Sequence, residues 1–595
     1  MFKKNIQIAL LCFLVILYYA SLYAESPDET EGKADILEGK LAQEKIKIEV
    51  LPIEISLKEK IEQVRPKPVL PEEKIKIKEI IVLGNTVLSS KEIRAILGSF
   101  FYNRQLSGKE MQRCADQIND WYSLNGYLTS YAYVEPSRLN EGILQIQCVE
   151  GKIGDIKIEG NRYFSTNVYM KRSGVNKGDI FNFKQIKNNI YRTNKHPDRK
   201  VTINIKPREN LEYTDIVLSV KDKLPLHFVF DHDNYGSEYI LYKRYKNTFV
   251  FNNFTGRDDV LNIKAQFCEA DAQRLFDLDY FLPINNTWKW ELYYMPFKRE
   301  NYYYGDNEQR GFEKRAYKWY TYLYQTIFSE PNRELVFNYG FVQKFISWYV
   351  RKEKQKADRF CALLWGFDYM RADDYGTWVV SEDLEKGIPR MFGASTAEDG
   401  SCSVKGAGGK YLKQKLAIAR RQKLPWFGIE MLTKAQMQYS TQAMTGVNVF
   451  SVGGYMGTID NRGYPRAQMP MDSGFYLMGG FSFPAYFIPK DLNIPFTQNK
   501  AYSNLKFFNF FEYAKGYKRS CKTAAEKVGE LYDPDTSSKT DDVKRKSLKS
   551  AGWGFAFNIP EHSLSMRFDM AWPLNHKIPK DGSHRHTWYR VTKNF

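Results

Sequence analysis

From about Leu224 onward helical periodicity fades. Aromatic segments such as Trp288-Lys289-Trp290-Glu291-Leu292-Tyr293-Tyr294 and Tyr320-Thr321-Tyr322-Leu323-Tyr324 alternate in part. Residues two apart share one face of a strand, so this pattern specifies strands with one apolar side. Asn, Asp and Gly cluster between the segments, where turns need them. Spread over sixteen strands, residues 224–595 give roughly 23 per strand and connection. That suits ~10-residue membrane strands with short turns at one end and longer loops at the other. Aromatics make up 15% of the chain, with 41 Tyr and 39 Phe. A soluble sandwich rarely needs so many, whereas girdles at two membrane interfaces do. A mean hydropathy of −0.51 excludes a polytopic helical membrane protein. The mixed charge excludes wholesale disorder. A net charge of +18 is compatible with a nucleic-acid binder or a membrane barrel.

The amino terminus separates these two. Lys3 and Lys4 precede an apolar run from Ile6 to about Tyr19, which ends at Ala20-Ser21-Leu22-Tyr23-Ala24. This is the layout of a secretory signal peptide, residues 1–24, cleaved after Ala24. The run is shorter than the ~20 residues that span a bilayer, and no later stretch of about 18 apolar residues exists. Export argues against a nucleic-acid partner. Residues 25–74 read as a charged linker, rich in Pro near Pro66-Lys67-Pro68. A short helix around Ile36–Lys47 is suggested by Leu37, Leu41 and Ile46. Beyond Cys12 the cysteines are Cys114, Cys148, Cys268, Cys361, Cys402 and Cys521. Their spacing contains neither CxxC nor a zinc pattern, and their pairing is not readable. Cys114 and Cys148 occupy apolar positions that suit a core.

An internal repeat precedes the strands. Ile77-Lys78-Glu79-Ile80-Ile81-Val82-Leu83-Gly84-Asn85 returns as Ile153-Gly154-Asp155-Ile156-Lys157-Ile158-Glu159-Gly160-Asn161. Each is a short strand ending in a Gly-Asn turn that tolerates positive φ. Ser89 or Ser165 follows, then helical text. In the first copy a helix runs through Met111, Ala115, Ile118 and Trp121, and Gly142–Glu150 alternates as a strand. In the second, a helix near Phe183–Tyr191 precedes strands Val201–Ile205 and Asp215–Val220. Strand, helix, helix, strand, strand gives a three-stranded sheet with two helices on one face.

With its Gly84-Asn85 and Gly160-Asn161 turns, Gly126-Tyr127 and the Glu150-Gly151 joint, this repeat resembles the POTRA domain, the periplasmic module of outer-membrane protein translocators. Further motifs follow in order. They are Asp231-His232-Asp233-Asn234-Tyr235-Gly236, Phe450-Ser451-Val452-Gly453-Gly454 before Asn461-Arg462-Gly463-Tyr464-Pro465, Phe511-Glu512-Tyr513-Ala514-Lys515-Gly516, Ser550-Ala551-Gly552-Trp553-Gly554, and Arg567-Phe568-Asp569-Met570-Ala571-Trp572-Pro573-Leu574. Together they resemble the transporter half of bacterial two-partner secretion systems over residues 75–595. The fold class expected is mainly β. POTRA-like domains over 75–150 and 151–223 precede a transmembrane antiparallel β-barrel of about 16 strands over 224–595.

The resemblance implies an outer-membrane translocator that captures an unfolded exoprotein in the periplasm and passes it through the barrel. It implies no enzymatic activity, cofactor or metal. Its partners would be the exoprotein, outer-membrane lipid and, during insertion, the barrel-assembly machinery. A barrel-insertase relative and a passive porin or receptor are the alternatives. In the family an Arg-Gly-Tyr/Phe tripeptide tips a long loop folded into the barrel, and its Arg meets an acidic wall residue. Here the tip would be Arg462, Gly463 and Tyr464, with Gly463 allowing the sharp turn. Glu512 would be the wall partner. The family's Asp is Glu512 here, and its glycine two residues later is Ala514, with Gly516 beyond. Phe183, Ile186, Ile190 and Tyr191 are candidates for a client-binding groove on the second POTRA. Phe595 would be the carboxy-terminal insertion signal, beside an unexpected Lys593.

Three lookalikes are set aside. Gly406-Ala407-Gly408-Gly409-Lys410-Tyr411 lacks the Gly and Ser/Thr of a P-loop, because Val404 and Tyr411 stand there. It reads as a barrel loop. On a strand His227 and Asp231 share a face while His232 points away, which argues against a metal site with Asp233. His584 and His586 receive the same discount.

Overall fold

The computed structural model describes residues 65–98, 104–208, 212–236, 242–268, 274–305, 308–350, 353–396, 402–404, 407–445, 448–455, 459–495, 497–518, 545–574 and 579–595. The expected signal peptide over 1–24, the expected short helix around 36–47 and Cys521 lie outside them. The chain divides into two units, with the boundary between Leu224 and Pro225.

The amino-terminal unit holds the repeat. In the first copy come β1 (Ile75–Ile77), β2 (Glu79–Leu83), α1 (Ser90–Leu97), β3 (Arg104–Leu106), α2 (Gly108–Leu124), β4 (Tyr131–Glu135) and β5 (Ile143–Val149). The main sheet runs β2-β5-β4, with β2 parallel and β4 antiparallel to β5. The second copy has β6 (Lys152–Glu159), α3 (Thr166–Ser173), α4 (Phe183–Asn194), β7 (Arg199–Pro207) and β8 (Tyr213–Asp222). Its order, β6-β8-β7, repeats the same parallel and antiparallel pairings.

Local chemistry explains the elements. Ser89 starts α1 with a reciprocal capping box. Its amide donates to Glu92 at 2.9 Å and its hydroxyl accepts from the Glu92 amide at 3.3 Å. Met111, Cys114, Ala115, Ile118 and Tyr122 form one buried stripe of α2, and Leu144, Ile146 and Cys148 form the facing side of β5. Burial pushes the thiols of Cys114 and Cys148 up, to about 12 and about 11, as suits inert core cysteines. Gly84 and Gly160 both have positive φ, at 73° and 85°. After each turn a carboxylate from the last strand gathers the free amides. Glu150 accepts from Thr86 and Val87, and Asp222 from Arg162, Tyr163 and Phe164. Tyr122 and Tyr169 donate to these same carboxylates, each at 3.1 Å.

The two copies interlock. The Phe183 amide donates to the Gly126 carbonyl at 2.8 Å, and Asn182 reaches the Asn125 carbonyl. Leu128 of the first copy lies in the core of the second with Ile153, Phe181 and Ile186.

In the second unit sixteen antiparallel strands, from Leu226–Asp233 to His586–Asn594, close into a barrel. The seam between first and last strands carries five register pairs, Arg590↔Asp233 to Asn594↔Val229. Leu226, Tyr245, Phe249, Phe267, Leu323, Leu363, Leu477 and Phe511 face outward. Asp233, Arg244, Glu291, Lys344, Glu385, Lys413, Glu512 and Asp569 are buried. Apolar outside and charged inside is the arrangement of a membrane barrel. No helix among the described residues is long and apolar enough to cross a membrane. The described cysteines Cys114, Cys148, Cys268, Cys361 and Cys402 are buried.

The interlock makes a prediction. Leu128→Ala should destabilise the second copy, not its own, by about 3 kcal/mol. Limited proteolysis of the full chain should then cut first within 152–222 and leave the barrel intact. On β6 and β8, hydrogen bonds from Lys177 to Asp155 and from Arg208 to Asp215 hold both carboxyls below their ordinary range. Because these folded-state values are lowered, the stabilisation is complete above about pH 4 and is lost as pH falls through the lowered values. Asp215→Asn should flatten the acid limb of the melting profile of this unit.

Candidate functional site

Residues 441–472 link strands Glu430–Ser440 and Ser473–Pro484, and those of them that are described are largely buried within the barrel unit. Phe450–Val452 pairs with Met469–Met471 as a short ladder. Gly453 and Gly454 take positive φ, at 122° and 81°, and turn the chain. Phe450, Val452, Ile459, Tyr464, Met469 and Met471 pack on Tyr476, Ala514 and Leu548 of the wall.

Arg462 sits at the centre. Its Nε donates to Glu512 Oε1 at 2.8 Å and its backbone amide to Oε2 at 2.7 Å. Its Nη1 donates to Asp569 Oδ1 at 2.7 Å. The guanidinium carbon lies 3.3 Å from the centroid of the Phe510 ring and 5.4 Å from that of Tyr455. Tyr476 and Ser550 hydroxyls fill the remaining acceptor positions of Glu512, at 3.2 and 2.8 Å. Arg567 Nε donates to Asp569 Oδ2 at 2.9 Å, and its guanidinium stands over Phe508 and Tyr455. Glu512 and Asp569 are fully buried and Arg462 is 3% exposed. Two arginines and two carboxylates thus neutralise one another within a frame of rings, so each buried charge is matched.

Phe510, Glu512, Ala514 and Gly516 alternate inward along strand Leu505–Tyr517. Ala514 packs in the cluster beneath Met469 and Met471, and a side chain at Gly516 would run into Met471. The small residues therefore make room for the loop, and the longer arm of Glu reaches Arg462. Gly463 has a reason different from the expected one. Its φ is not positive. A Cβ there would come within 2.5 Å of Ser550 Cβ and 2.8 Å of the Trp572 backbone, so close approach to the wall requires glycine. Trp588 Nε1 donates to the Arg462 carbonyl at 2.8 Å, and His586 Nδ1 lies 3.0 Å from the Gly463 carbonyl. Tyr464 is fully buried.

The second proposed site needs a correction. Phe183, Ile186, Ile190 and Tyr191 are all buried, and the first three belong to the core of the second POTRA copy. Their spacing is the inward stripe of an amphipathic helix, whose outer face shows Lys184 and Gln185 instead. They line no open groove. Phe595 is exposed, stacks near Phe228 at 5.6 Å and closes the seam through its amide, 2.8 Å from the Phe228 carbonyl. Lys593 donates to the His562 carbonyl in the adjacent turn. Among the lookalikes, Tyr411 donates to buried Glu385, and Asp231 and Asp233 pair with Arg590 and Arg244. No group of three or more potential metal ligands occurs among the described residues. Asp569, Phe510 and Trp588 are among the site residues that sequence reasoning missed, with Arg567, Tyr476 and Ser550. The signal for Asp569 is a charge on the inward parity of a membrane strand, in a motif already singled out.

A closed membrane barrel, two POTRA domains and a loop folded against the inner wall define an outer-membrane polypeptide transporter. Comparison with known proteins gives the family. The ShlB-type POTRA domain matches residues 75–151, and the haemolysin secretion/activation protein family ShlB/FhaC/HecB matches residues 212–497. The outer membrane transporter CdiB of Dickeya dadantii (strain 3937) is 21% identical over 84% of this chain and 83% of its own. The hemolysin transporter protein HpmB of Proteus mirabilis is 22% identical over 76% and 81%. The solved structure of CdiB from Escherichia coli superposes with a TM-score of 0.70 at 18% identity, covering 96% of this chain and all of that one. The chain belongs to the two-partner secretion transporters of the outer membrane.

The charge network predicts unequal losses. Arg462→Ala leaves buried Glu512 without its cation and Asp569 with Arg567 alone, and should cost about 3–5 kcal/mol of barrel stability. Arg462→Lys should recover little, since an ammonium cannot span both acids. A double-mutant cycle on the thermal unfolding of the barrel should couple Arg462 to Glu512 and, separately, to Asp569. Additive losses would remove the partner concerned.

Proposed function

We propose that the chain takes an extended exoprotein from the periplasm and passes it outward through the barrel as the 441–472 loop moves aside. The observation that carries this reading is the loop itself. The barrel interior holds a segment seated on the wall by the polar pairs of Arg462 and by the apolar cluster of Phe450, Val452, Met469 and Met471 on Tyr476, Ala514 and Leu548. On this reading residues 1–24 direct export, 25–74 connect, 75–150 and 151–223 receive the client, and 224–595 conduct it. Client capture falls to the sheet edges rather than to α4. Strand addition there uses main-chain hydrogen bonds and demands little of client sequence. β7 is an edge of its sheet, and Lys200, Thr202, Asn204 and Lys206 lie exposed along it, which suits a polar or acidic client.

The chemistry is binding and release, with no catalytic step, cofactor or nucleotide. Folding of emerged segments outside supplies direction. Outer-membrane lipid contacts the aromatic wall, and the barrel-assembly machinery reads the last strand with Phe595. Arg462, Gly463 and Tyr464 are the loop tip, and Glu512 with Asp569 is its seat.

Co-expression with candidate exoproteins tests this reading, scored by appearance of one in the medium. Deletion of residues 75–222 should abolish that appearance. The truncated barrel should still migrate differently in boiled and unboiled detergent-gel samples. Normal export by the truncated form would contradict the receiving role of the POTRA pair.

A further inference from the structure

The 441–472 loop is held at two places, and the two differ in kind. Its far half carries Arg462. Its near part, with Met444, Asn448 and Val449, rests on other strands with Asn448 at the centre of that contact, while Phe450–Val452 join the far half through their ladder to Met469–Met471. Asn448 Oδ1 accepts from Lys344 Nζ at 2.8 Å and from Lys413 Nζ at 2.9 Å. Its amide Nδ2 donates to the Tyr411 hydroxyl at 3.4 Å. The same two ammonium groups lie 3.3 and 2.7 Å from the Glu385 carboxylate, to which Tyr411 also donates. All five residues are buried. Met444 and Val449 flank Asn448 and pack with Val342, Phe360, Ala362 and Tyr411. Gln438 fixes the loop base, donating to the carbonyls of Asn448 and Asp472 at 3.0 and 3.1 Å.

Release of the two halves has different consequences. If Arg462 leaves, Glu512 and Asp569 remain as buried anions without it. If Asn448 leaves, a neutral amide departs, while Lys344 and Lys413 keep Glu385. Losing hydrogen bonds to a neutral group is the smaller penalty. We propose that Asn448 is a latch, a positioning residue that holds the near part of the loop against strands Arg333–Val350, Gly376–Gly387 and Leu412–Lys423. The lumen clears when this part swings away while Arg462 stays seated. This rests on the transporter reading only in requiring that the lumen clear. It assigns the order in which the loop lets go.

Planar-bilayer conductance of the full-length protein tests the latch without any client. Asn448→Ala should raise the fraction of time spent open by roughly tenfold, the effect of losing charge-assisted hydrogen bonds. Asn448→Asp places a carboxylate between two ammonium groups and should lower it below the native level. Asn448→Ser keeps a short acceptor and should fall between native and Ala, serving in place of Ala if that variant loses heat-dependent migration. Conductance of the Ala and Ser variants equal to native, or opening of the Asp variant as wide as Ala, would overturn the latch. Hydrogen exchange of Asn448→Ala fixes the order. Amides of 448 and 449 should lose protection while the Arg462 amide, bonded to Glu512, keeps it. Simultaneous loss, or loss at Arg462 first, would overturn the order. Client export by the deletion variant described above fails or succeeds independently of these readouts.

Discussion

The seating of Arg462 between Glu512 and Asp569 is the constraint on which the barrel interior depends. Each partner alone would be a buried charge, and the idealised cost of that is far larger than any domain's net stability. Together they are tolerable only if the loop comes in far enough for one guanidinium to reach two neighbouring regions of the wall. That demand propagates. Gly463 must lack a side chain to lie against Ser550 and Trp572, Gly516 must yield to Met471, and Phe510 must lie flat beneath the cation. Around Arg462 the interior of this barrel is therefore packed as a polar core, with the apolar cluster of Phe450, Val452, Met469 and Met471 beside it.

Much of this was legible because membrane barrels and POTRA sheets obey short-period rules. Alternation marked the wall, and the Gly84-Asn85 and Gly160-Asn161 turns marked the repeat. Arg462 and Glu512 came from a resemblance, and the geometry sets their atoms 2.8 Å apart. Other features stayed hidden for physical reasons. Phe183, Ile186 and Ile190 looked like a binding stripe, yet an amphipathic helix spends such a stripe on its own sheet before it can offer one to a client. Asp569 is distant in sequence, and nothing local says which inward charge meets which. Asn448 carries no charge, so its contact with Lys344 and Lys413 has no sequence signature at all.

The POTRA pair shows the same economy in a soluble setting. Glu150 and Asp222 sit at equivalent points of the two copies and gather the amides freed by each Gly-Asn turn. Leu128 crosses from one copy into the core of the next, so the pair is mechanically one body. Under the proposed receiving role, a client bound at one edge would meet a fixed spacing to the other, whereas a flexible linker would give it a distribution.

The central claim, that one guanidinium seated in the wall organises the lumen, has a direct spectroscopic test. Protein labelled with ¹⁵N-arginine and placed in lipid nanodiscs should show a slowly exchanging Arg Nε–H resonance that Arg462→Lys removes and Glu512→Gln shifts. If the Arg462 Nε–H instead exchanges with water at the rate of an exposed side chain, and Glu512→Gln leaves its position unchanged, the loop is not seated and the account is contradicted.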